Sequence, residues 1–254
     1  MRFASLGSGS RGNATLVEAG NSRVLIDCGF SVAETERRLG RLGLAPGDID
    51  ALLVTHEHSD HIRGVAPFAR RHGTPVWMTA GTALATRDTD LPVVEWHSGH
   101  ESFAIGDLEI TPFPVPHDAR EPCQFAFSDG ARRLGVLTDL GAPTPCVVAA
   151  LDACDALVLE CNHDPHLLAC GPYPPALKAR VGGGLGHLSN GQAAELLGRL
   201  DCSRLQHLVA AHLSEKNNRP ALARAALADA LGCGADWIAV AEQDTGLDWR
   251  MIAS

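Results

Sequence analysis

The chain has 254 residues, of which 45% are hydrophobic and 20% are charged. A chain of this size can bury a substantial core, so the composition excludes an intrinsically disordered protein and a small disulfide-stabilised one. Its formal net charge of −9 argues against a protein that coats nucleic acid without sequence preference. This charge still allows a local phosphate-binding cleft, especially one that carries metal cations.

The sequence contains no segment that predicts export or membrane insertion. Its longest apolar runs, such as Ala51–Val54, have the length of a strand, and the opening MRFASLGSGSRGN lacks the apolar core of a signal peptide. The eight cysteines include no CxxC pair and no zinc-ribbon spacing. We therefore expect reduced thiols, a cytoplasmic location and no membrane partner.

Apolar runs predict four early strands, at Phe3–Leu6, Ala14–Glu18, Arg23–Asp27 and Ala51–Thr55. Between the third and the fourth, Ser31 is predicted to cap a helix, with Glu34 completing a capping box. The fourth strand leads into HEHSDH and then into a helix through about Arg71, which Ser59 is expected to cap.

The rest of the chain is predicted to continue with strands and then with alternating strands and helices. Short strands are expected near Val76 and Val93, and a strand-rich stretch from Phe103 to about Thr138 contains an Asp-Gly hairpin signal at 129–130. Later strands are predicted at Ala156–Glu160, Leu205–Ala211 and Asp236–Val240, and helices at Ser189–Leu200 and Arg219–Leu231. This order predicts a layered α/β fold with sheets inside and helices outside.

The most informative motif is Thr55-His56-Glu57-His58-Ser59-Asp60-His61, which follows a predicted buried strand. Extended backbone places His56 and His58 on one side, and the first turn of the next helix directs Asp60 and His61 toward the same pocket. Three imidazoles and a carboxylate suit zinc, manganese or iron. The alternative interpretation is a chance cluster of surface histidines.

Four ligands within six residues crowd a single tetrahedral ion, so the motif favours a pair of ions. His56 and His58 would bind one ion, and Asp60 and His61 the other. The remaining candidates, each at the end of an apolar run, are His117, Asp139 and His212. Asp139 would bridge ions about 3.5–4 Å apart that hold a hydroxide between them. Taken singly, each of these later residues also fits a role in the core or in a cap.

This order of motifs resembles the metallo-β-lactamase superfamily over essentially the whole chain. The resemblance implies an αββα sandwich, two mixed sheets flanked by helices, that forms a single domain over residues 1–254 with a dinuclear site at one edge. It implies that His56, His58, His117 and Asp139 bind one ion and that Asp60, His61, Asp139 and His212 bind the other. The commonest β-lactamase subclass has Cys where Asp139 stands, so lactam hydrolysis is not expected.

Four further segments resemble the YycJ/WalJ-like group of this superfamily, which comprises nuclease-like proteins related to tRNase Z. They are SLGSGSRGNATLV near the start, ECNHD at 160–164, GPYPPALKARV at 171–181, and GHLSN with HLSEKNN toward the end. Arg11 departs from the group, which more often has GSSGN in this turn. The resemblance implies a metal-dependent phosphodiesterase with 5′-to-3′ DNA exonuclease activity, so DNA is the expected partner.

Several residues outside the ligand set are candidates for substrate contact: His187, Lys178, Arg180, His163, Ser10 and Asn13. His187 precedes a helix and would donate a proton to the leaving oxygen or hold a phosphate oxygen. The guanidinium of Arg180 suits a phosphate, and the N–H groups of the Gly-rich loop could cradle an anion. Asp118 would orient a ligand imidazole. Each of these residues also fits an ordinary structural role in a loop, a turn or a solvated helix face.

The sequence thus predicts hydrolysis by a hydroxide between two divalent ions, zinc or manganese with iron also fitting, and Asp60 and His187 as catalytic residues. A small-molecule cyclic phosphodiesterase is the first alternative. A glyoxalase II-like thioester hydrolase is the second alternative. It is disfavoured because glyoxalase II carries a helical C-terminal domain for glutathione, whereas only about 40 residues follow His212 here. A non-enzymatic binding protein on the same fold is the third. A homodimer is the default expectation for the assembly.

Overall fold

The computed structural model describes residues 1–86, 90–91 and 94–253. The first elements are β1 (Arg2–Gly7), β2 (Ala14–Ala19), β3 (Ser22–Ile26), α1 (Val32–Arg41), β4 (Ala51–Leu53), α2 (Ser59–Ile62), α3 (Val65–His72), β5 (Val76–Met78), α4 (Ala80–Ala85) and β6 (Val94–Trp96). The later elements are β7 (Phe103–Ile105), β8 (Leu108–Pro114), β9 (Cys123–Ser128), β10 (Arg133–Leu137), α5 (Pro145–Leu151), β11 (Ala156–Glu160), α6 (Pro165–Cys170), α7 (Pro175–Val181), α8 (Asn190–Leu197), β12 (His207–Ala211), α9 (Pro220–Leu231), β13 (Ala239–Val240) and β14 (Leu247–Met251).

Within the described residues the strands form two seven-stranded sheets. The first has the order β14-β1-β2-β3-β4-β5-β6, and the second has the order β13-β12-β11-β10-β9-β8-β7. Each sheet is mixed, because β3 to β6 run parallel in the first and β10 to β13 run parallel in the second, while the other pairs are antiparallel. The β9–β10 hairpin turns at the predicted Asp-Gly. The prediction of two mixed sheets flanked by helices is confirmed.

The buried apolar side chains form three layers. Between the sheets, Phe3 of the first sheet and Phe125 of the second belong to one cluster. Leu39 of α1 and Phe68 of α3 belong to a cluster on the other face of the first sheet, and α5, α8 and α9 cover the second sheet in the same way. Because Phe125 is completely buried, its replacement by Ala would cost about 3–5 kcal/mol of stability.

The helix after HEHSDH differs from the prediction in two ways. His58, rather than Ser59, is the N-cap residue, and α2 has no side-chain cap. The predicted single helix is also divided into α2 and α3. Gly64 lies between them, at a point where a Cβ would collide with the backbone oxygen of Phe30. The close approach of these two loops explains the break.

The predicted cap of α1 is confirmed in part. Ser31 Oγ accepts a hydrogen bond from the backbone N–H of Glu34 at 3.4 Å. The Glu34 carboxylate does not return to the Ser31 backbone, because it pairs with the guanidinium groups of Arg37 and Arg38. By contrast, Ser189 and Gln192 form a complete capping box at the start of α8.

Two of the predicted strands, both near the ends of the sheets, differ from the prediction or lie partly outside the described residues. The strand predicted at Asp236–Val240 is wrong in its first part, because residues 235–237 form a 3₁₀ turn and only Ala239–Val240 pairs with β12. Trp237 is 43% exposed in this turn, so the buried alternation of a strand is missing there. Val93, where a short strand was predicted, lies outside the described residues, and β6 begins at Val94.

Among the described residues, no helix is both long enough and apolar enough to cross a bilayer.

Candidate metal centre

The metal-ligand candidates converge because they follow strands that end at the same edge of the sandwich. The segment Thr55–His61 follows β4, Asp139 follows β10, and His212 follows β12. The carboxyl ends of neighbouring parallel strands meet at one edge of a sheet, where ligands commonly bind. His117 follows the antiparallel β8 and reaches the same place from the second sheet.

One group of donors consists of His56, His58 and His117. His58 Nδ1 lies 3.2 Å from His117 Nε2, and the buried His56 Nε2 has no hydrogen-bond partner among the described residues. Two nitrogens bound to one tetrahedral zinc ion at 2.0–2.1 Å lie about 3.3–3.4 Å apart. The observed separation and the orphaned nitrogen therefore fit a shared metal ion.

Each imidazole of this group is oriented through its other nitrogen. His56 Nδ1 lies 2.9 Å from Thr55 Oγ1, and His117 Nδ1 lies 3.0 Å from the Gly186 carbonyl oxygen. His58 Nε2 lies 3.2 Å from the backbone oxygen of Asp118. Such contacts fix the ring and its tautomer, so that one nitrogen is directed at the metal position.

The second group of donors consists of Asp60, His61 and His212. Asp60 Oδ2 lies 3.5 Å from His61 Nε2 and 3.4 Å from His212 Nε2. These separations also match those between donors on one tetrahedral ion.

Asp139 faces both groups. Its Oδ2 lies 3.1 Å from His61 Nε2 in the second group. Its Oδ1 lies 3.7 Å from His117 Nε2 in the first group and 3.3 Å from His212 Nδ1 in the second. The side chain is 2% exposed, and its Oδ2 has no hydrogen-bond partner among the described residues. A buried carboxylate that lies between the two groups is placed to bridge two ions.

Asp27 orients His61, and the sequence analysis did not identify it. Its Oδ2 accepts a hydrogen bond from His61 Nδ1 at 2.7 Å, which leaves Nε2 for the metal position. Thr55 donates to Asp27 from both its backbone nitrogen and its hydroxyl group, each at 2.9 Å. Asp27 ends the apolar run of β3 in the same way that the predicted ligands end theirs, so a signal was available.

Glu160 was also missed as a functional residue. It is fully buried, and its Oε1 lies 2.7 Å from His187 Nδ1 and 3.2 Å from His212 Nδ1. Its Oε2 accepts hydrogen bonds from the backbone N–H groups of Leu140 and Leu188. One carboxylate thus connects the metal-ligand candidate His212 with the proposed proton donor His187.

The charges of the site perturb the titration of its members. Burial disfavours the imidazolium forms of His61 and His212, but Asp139 and the other carboxylates raise the pKa of His61 and bring the pKa of His212 to about 10. Burial likewise opposes ionisation of Asp60 and Asp139, but the surrounding imidazoles hold the pKa of both carboxyl groups well below the usual range. A divalent cation is attracted by the same negative field and displaces protons when it binds.

Comparisons with known proteins agree with this geometry. Residues 22–212 match the family model described as "Beta-lactamase superfamily domain". Exodeoxyribonuclease YycJ of Bacillus anthracis is 34% identical over 237 residues, which cover 91% of this chain and 89% of that protein. Exodeoxyribonuclease WalJ of Streptococcus pneumoniae is 32% identical over 256 residues, which cover 98% and 93% of the two chains. The chain belongs to the metallo-β-lactamase superfamily, in the family of YycJ and WalJ.

Solved structures show the same fold. The metallo-β-lactamase fold protein YhfI of Bacillus subtilis superposes with a TM-score of 0.75 at 15% identity, covering 98% of this chain and 99% of its own. The short form of human tRNase Z superposes with a TM-score of 0.70 at 17% identity, over the whole of both chains. Together with the donor groups, this membership makes the chain a metal-dependent hydrolase.

In this YycJ/WalJ-family chain the donors open onto a cleft of about 300 Å³. The residues that line it include His58, Asp60, Asp139, His187 and His212 from the donor groups and their neighbours, and Ser10, Tyr173, Leu177, Arg180 and Val181 from surrounding loops and α7. Both donor groups are therefore accessible from the same cavity.

The predicted substrate-contact residues fall into two sets. Ser10 and Arg180 line the cleft, as His187 does. Arg180 Nε donates to Asp118 Oδ2 at 2.5 Å, and Asp118 Oδ1 lies 3.5 Å from His58 Nε2. Asp118 thus links Arg180, on the cleft, with His58 of the first donor group. This arrangement holds the pKa of Asp118 below its usual range, because the Arg180 guanidinium outweighs the cost of burial.

Three of the predicted substrate-contact residues do not line the cleft. Lys178 Nζ donates to the backbone oxygen of Ala169 at 2.6 Å, which joins α7 to α6. His163 is buried, and its Nδ1 has no hydrogen-bond partner among the described residues. Asn13 is buried beside the second donor group, with its Nδ2 3.1 Å from His61 Nε2, and its Oδ1 accepts from the N–H of Gly9.

Proposed function

We propose that this chain is a two-metal phosphodiesterase that degrades DNA as a 5′-to-3′ exonuclease. The observation that carries the proposal is the convergence of seven donors on one cleft, with Asp139 between the group of His56, His58 and His117 and the group of Asp60, His61 and His212, and with the Glu160–His187 pair beside them. The exodeoxyribonuclease names of the two relatives support DNA as the substrate. The polarity follows the activity that the sequence resemblance implies.

In this proposal His56, His58, His117 and Asp139 hold one ion, and Asp60, His61, Asp139 and His212 hold the other. Imidazole and carboxylate donors suit zinc, manganese or iron. When bound, the two ions supply a hydroxide nucleophile at neutral pH and neutralise negative charge on the phosphate.

His187 is the proposed general acid. Its Nδ1 donates to Glu160, so its Nε2 is the nitrogen that remains to serve the substrate, and the side chain lines the cleft. Burial disfavours the imidazolium, but the Glu160 carboxylate outweighs this effect and raises the pKa of His187. The protonated form is thereby retained toward neutral pH, where it donates to the departing oxygen.

Asp60, through the ion that it would hold, and Arg180, through its guanidinium group, are proposed to position the phosphate. Asp60 lies at the boundary of the second donor group and the cleft, so its carboxylate both holds an ion and faces the reacting groups. Arg180 offers its remaining guanidinium nitrogens to a phosphate oxygen while Asp118 holds Nε. Ser10 offers a hydroxyl group on the same cleft.

The volume of the cleft also fits a second class of substrate. At about 300 Å³ it lies at the small end of ligand pockets, which suits one terminal nucleotide and equally a small phosphodiester. A small cyclic phosphodiester is therefore the second proposed substrate class.

The eight free cysteine thiols support a cytoplasmic site of action.

The test is a degradation assay on metal-analysed protein with manganese or zinc. Single- and double-stranded DNA with a 5′-phosphate is labelled at the 5′ end in one set and at the 3′ end in another, and a small cyclic phosphodiester and a thioester run in parallel. The proposal predicts that 5′-labelled mononucleotide is released first and that 3′-labelled DNA shortens stepwise. Asp60→Ala should abolish both signals. Turnover of only the cyclic diester or only the thioester would contradict the proposed DNA exonuclease.

A further inference from the structure

The 171–181 segment gives the metal-site cleft an apolar and aromatic surface that metal binding does not require. The cleft is lined by Tyr173 alongside the donor residues. It is also lined by Leu177 and Val181, which lie four residues apart on one face of α7. Tyr173 is the single tyrosine of the chain and the one Phe, Trp or Tyr side chain among the described residues that line this cavity. A cleft lined by charged donors on one side and by Tyr173, Leu177 and Val181 on the other suits a ligand with both a charged part and an apolar part.

The backbone around Tyr173 is constrained. Pro172 and Pro174 flank it, and a residue before proline is restricted to extended backbone. At Gly171 an added Cβ would lie 2.6 Å from both the Leu167 carbonyl oxygen and Asn217 Oδ1, so the start of the segment packs closely on its surroundings. The ring is therefore presented from a fixed support, which lowers the entropy cost of binding a ligand against it.

A second contact holds the other side of this support. Lys178, on α7, donates to the backbone oxygen of Ala169 at the end of α6. This bond joins the two short helices that carry Tyr173 between them. The contact gives Lys178 a role in positioning the segment, although its side chain does not line the cleft.

The ring of Tyr173 is itself available. The side chain is half-buried, and its hydroxyl group has no hydrogen-bond partner among the described residues. Its one aromatic contact is a distant approach of Lys216 Nζ, 5.9 Å from the ring centroid. A half-buried tyrosine can leave its hydroxyl group to water and offer its ring to a ligand, and this ring lies on the cleft.

We propose that Tyr173, supported by Leu177, is a stacking surface for the nucleobase of the nucleotide whose phosphate binds at the metal centre. The inference rests on the proposed function and deepens it, because it names a nucleoside rather than a bare phosphodiester as the recognised unit. Stacking on an aromatic ring accepts every base, so this contact permits degradation without regard to sequence. Arg180, which lies on α7 with Leu177 and lines the same cleft, would contact the phosphate while the ring of Tyr173 contacts the base.

The first experiment removes the base from the substrate and the ring from the protein. The substrates are 5′-phosphorylated oligonucleotides with either normal nucleotides or a tetrahydrofuran abasic residue at one of the two positions that flank the first scissile bond. For the wild-type protein, loss of the base at one of these positions should lower kcat/KM by about 5- to 150-fold. Tyr173→Phe should keep this preference. Tyr173→Ala and the bulkier Tyr173→Leu should both lose it, with normal DNA cut at the abasic rate.

A binding measurement separates this inference from the exonuclease proposal. Calorimetric titration of metal-loaded protein compares deoxyadenosine 5′-monophosphate with 2-deoxyribose 5-phosphate, which lacks the base. The wild-type and Tyr173→Phe proteins should bind the nucleotide about 5- to 150-fold more tightly, and Tyr173→Ala should bind both equally. Trp237→Ala, which removes an exposed aromatic ring outside the cleft, is the matched control and should leave the preference intact.

The outcomes are distinct. If DNA is not degraded but the nucleotide preference depends on Tyr173, the exonuclease proposal fails and the stacking surface stands. If DNA is degraded but the wild-type protein ignores the base in both assays, the stacking surface is overturned. A base preference that survives in Tyr173→Ala overturns it as well.

Discussion

The metal centre and the 171–181 segment line the same cleft but are built differently. Five of the seven ligand candidates are buried, His58 and Asp60 are partly exposed on the cleft, and each imidazole has a second partner that fixes it. The 171–181 segment is half-buried or exposed and is held by prolines, close packing and the Lys178 hydrogen bond. In the first region each donor depends on the others, whereas the second tolerates change at its surface.

The two regions should therefore respond differently to substitution. Removal of a donor leaves buried charges without partners and an ion without its full coordination, so the effect should be close to all-or-none. A change in the 171–181 segment removes one contact with the substrate and should give a graded effect on KM.

Asp139→Ala should give the largest loss, because the side chain faces both donor groups. We expect kcat/KM to fall by at least about 10³-fold and metal content to drop below two ions per chain. Elemental analysis and phosphodiesterase rates measure both. The control is Asp155→Asn. Asp155 precedes β11 and therefore lies at the opposite edge of the sheet from the metal centre, where it pairs with Arg204. Its replacement should lower the melting temperature but not the metal content. An Asp139→Ala protein with two ions and full activity would refute the bridging role.

Glu160→Gln should impair proton transfer even when the metal sites are filled. At saturating metal we expect kcat to fall by about 10²- to 10³-fold, because His187 loses the carboxylate that holds it. Metal affinity should also fall, by about 10- to 100-fold, because Glu160 contacts His212 as well. Glu160 raises the pKa of His187, so its removal lowers that pKa, and the protonated acid is lost at a lower pH. The basic limb of the kcat/KM profile should therefore move toward acid pH. An unshifted limb would show that His187 is not the group that titrates.

Asp27→Asn should weaken the metal centre without destroying it. Asp27 orients His61 through its Nδ1, and loss of such a partner typically costs 10- to 100-fold in metal affinity. Activity should be low at limiting metal and should recover when the metal concentration is raised. The measurement is activity against free metal concentration, with the wild-type protein beside the variant; identical curves for the two would rule out the orienting role.

Arg180→Ala and Lys178→Met compare two cations of α7. Arg180 lines the cleft, so its loss should raise KM for DNA by about tenfold with little change in kcat. Lys178 bonds to Ala169 and does not line the cleft, and the prolines and the close packing at Gly171 still hold the segment when this bond is lost, so KM should change by less than about twofold. Steady-state kinetics at low and moderate salt measure both. Equal effects from the two substitutions would mean that the 171–181 segment contacts the substrate in another way.

The fold and the donor sets could be predicted because both follow from local patterns. Apolar runs of strand length locate most strands, and His56, His58, His117 and Asp139 stand where such runs end. The structure then brings these side chains together at one edge of the sandwich. The Asp-Gly turn was equally local and was confirmed.

The contacts that orient the donors could not be predicted in this way, because they join distant parts of the chain. Glu160 lies 27 residues before His187, and Asp27 lies 34 residues before His61. Backbone geometry was also hidden: Asp27 and His212 have φ values of 59° and 53°, a conformation that residues other than glycine seldom adopt. The position of Lys178 outside the cleft likewise depends on how α6 and α7 pack.

The most direct test of the account is the anomalous scattering of crystals grown from manganese- or zinc-loaded protein. Two strong peaks are expected, about 3.5–4 Å apart, with one carboxylate oxygen of Asp139 directed at each. One peak should lie among His56, His58 and His117, and the other among Asp60, His61 and His212. A single fully occupied peak in metal-saturated crystals, or an Asp139 carboxylate bound to only one of two ions, would contradict the central claim.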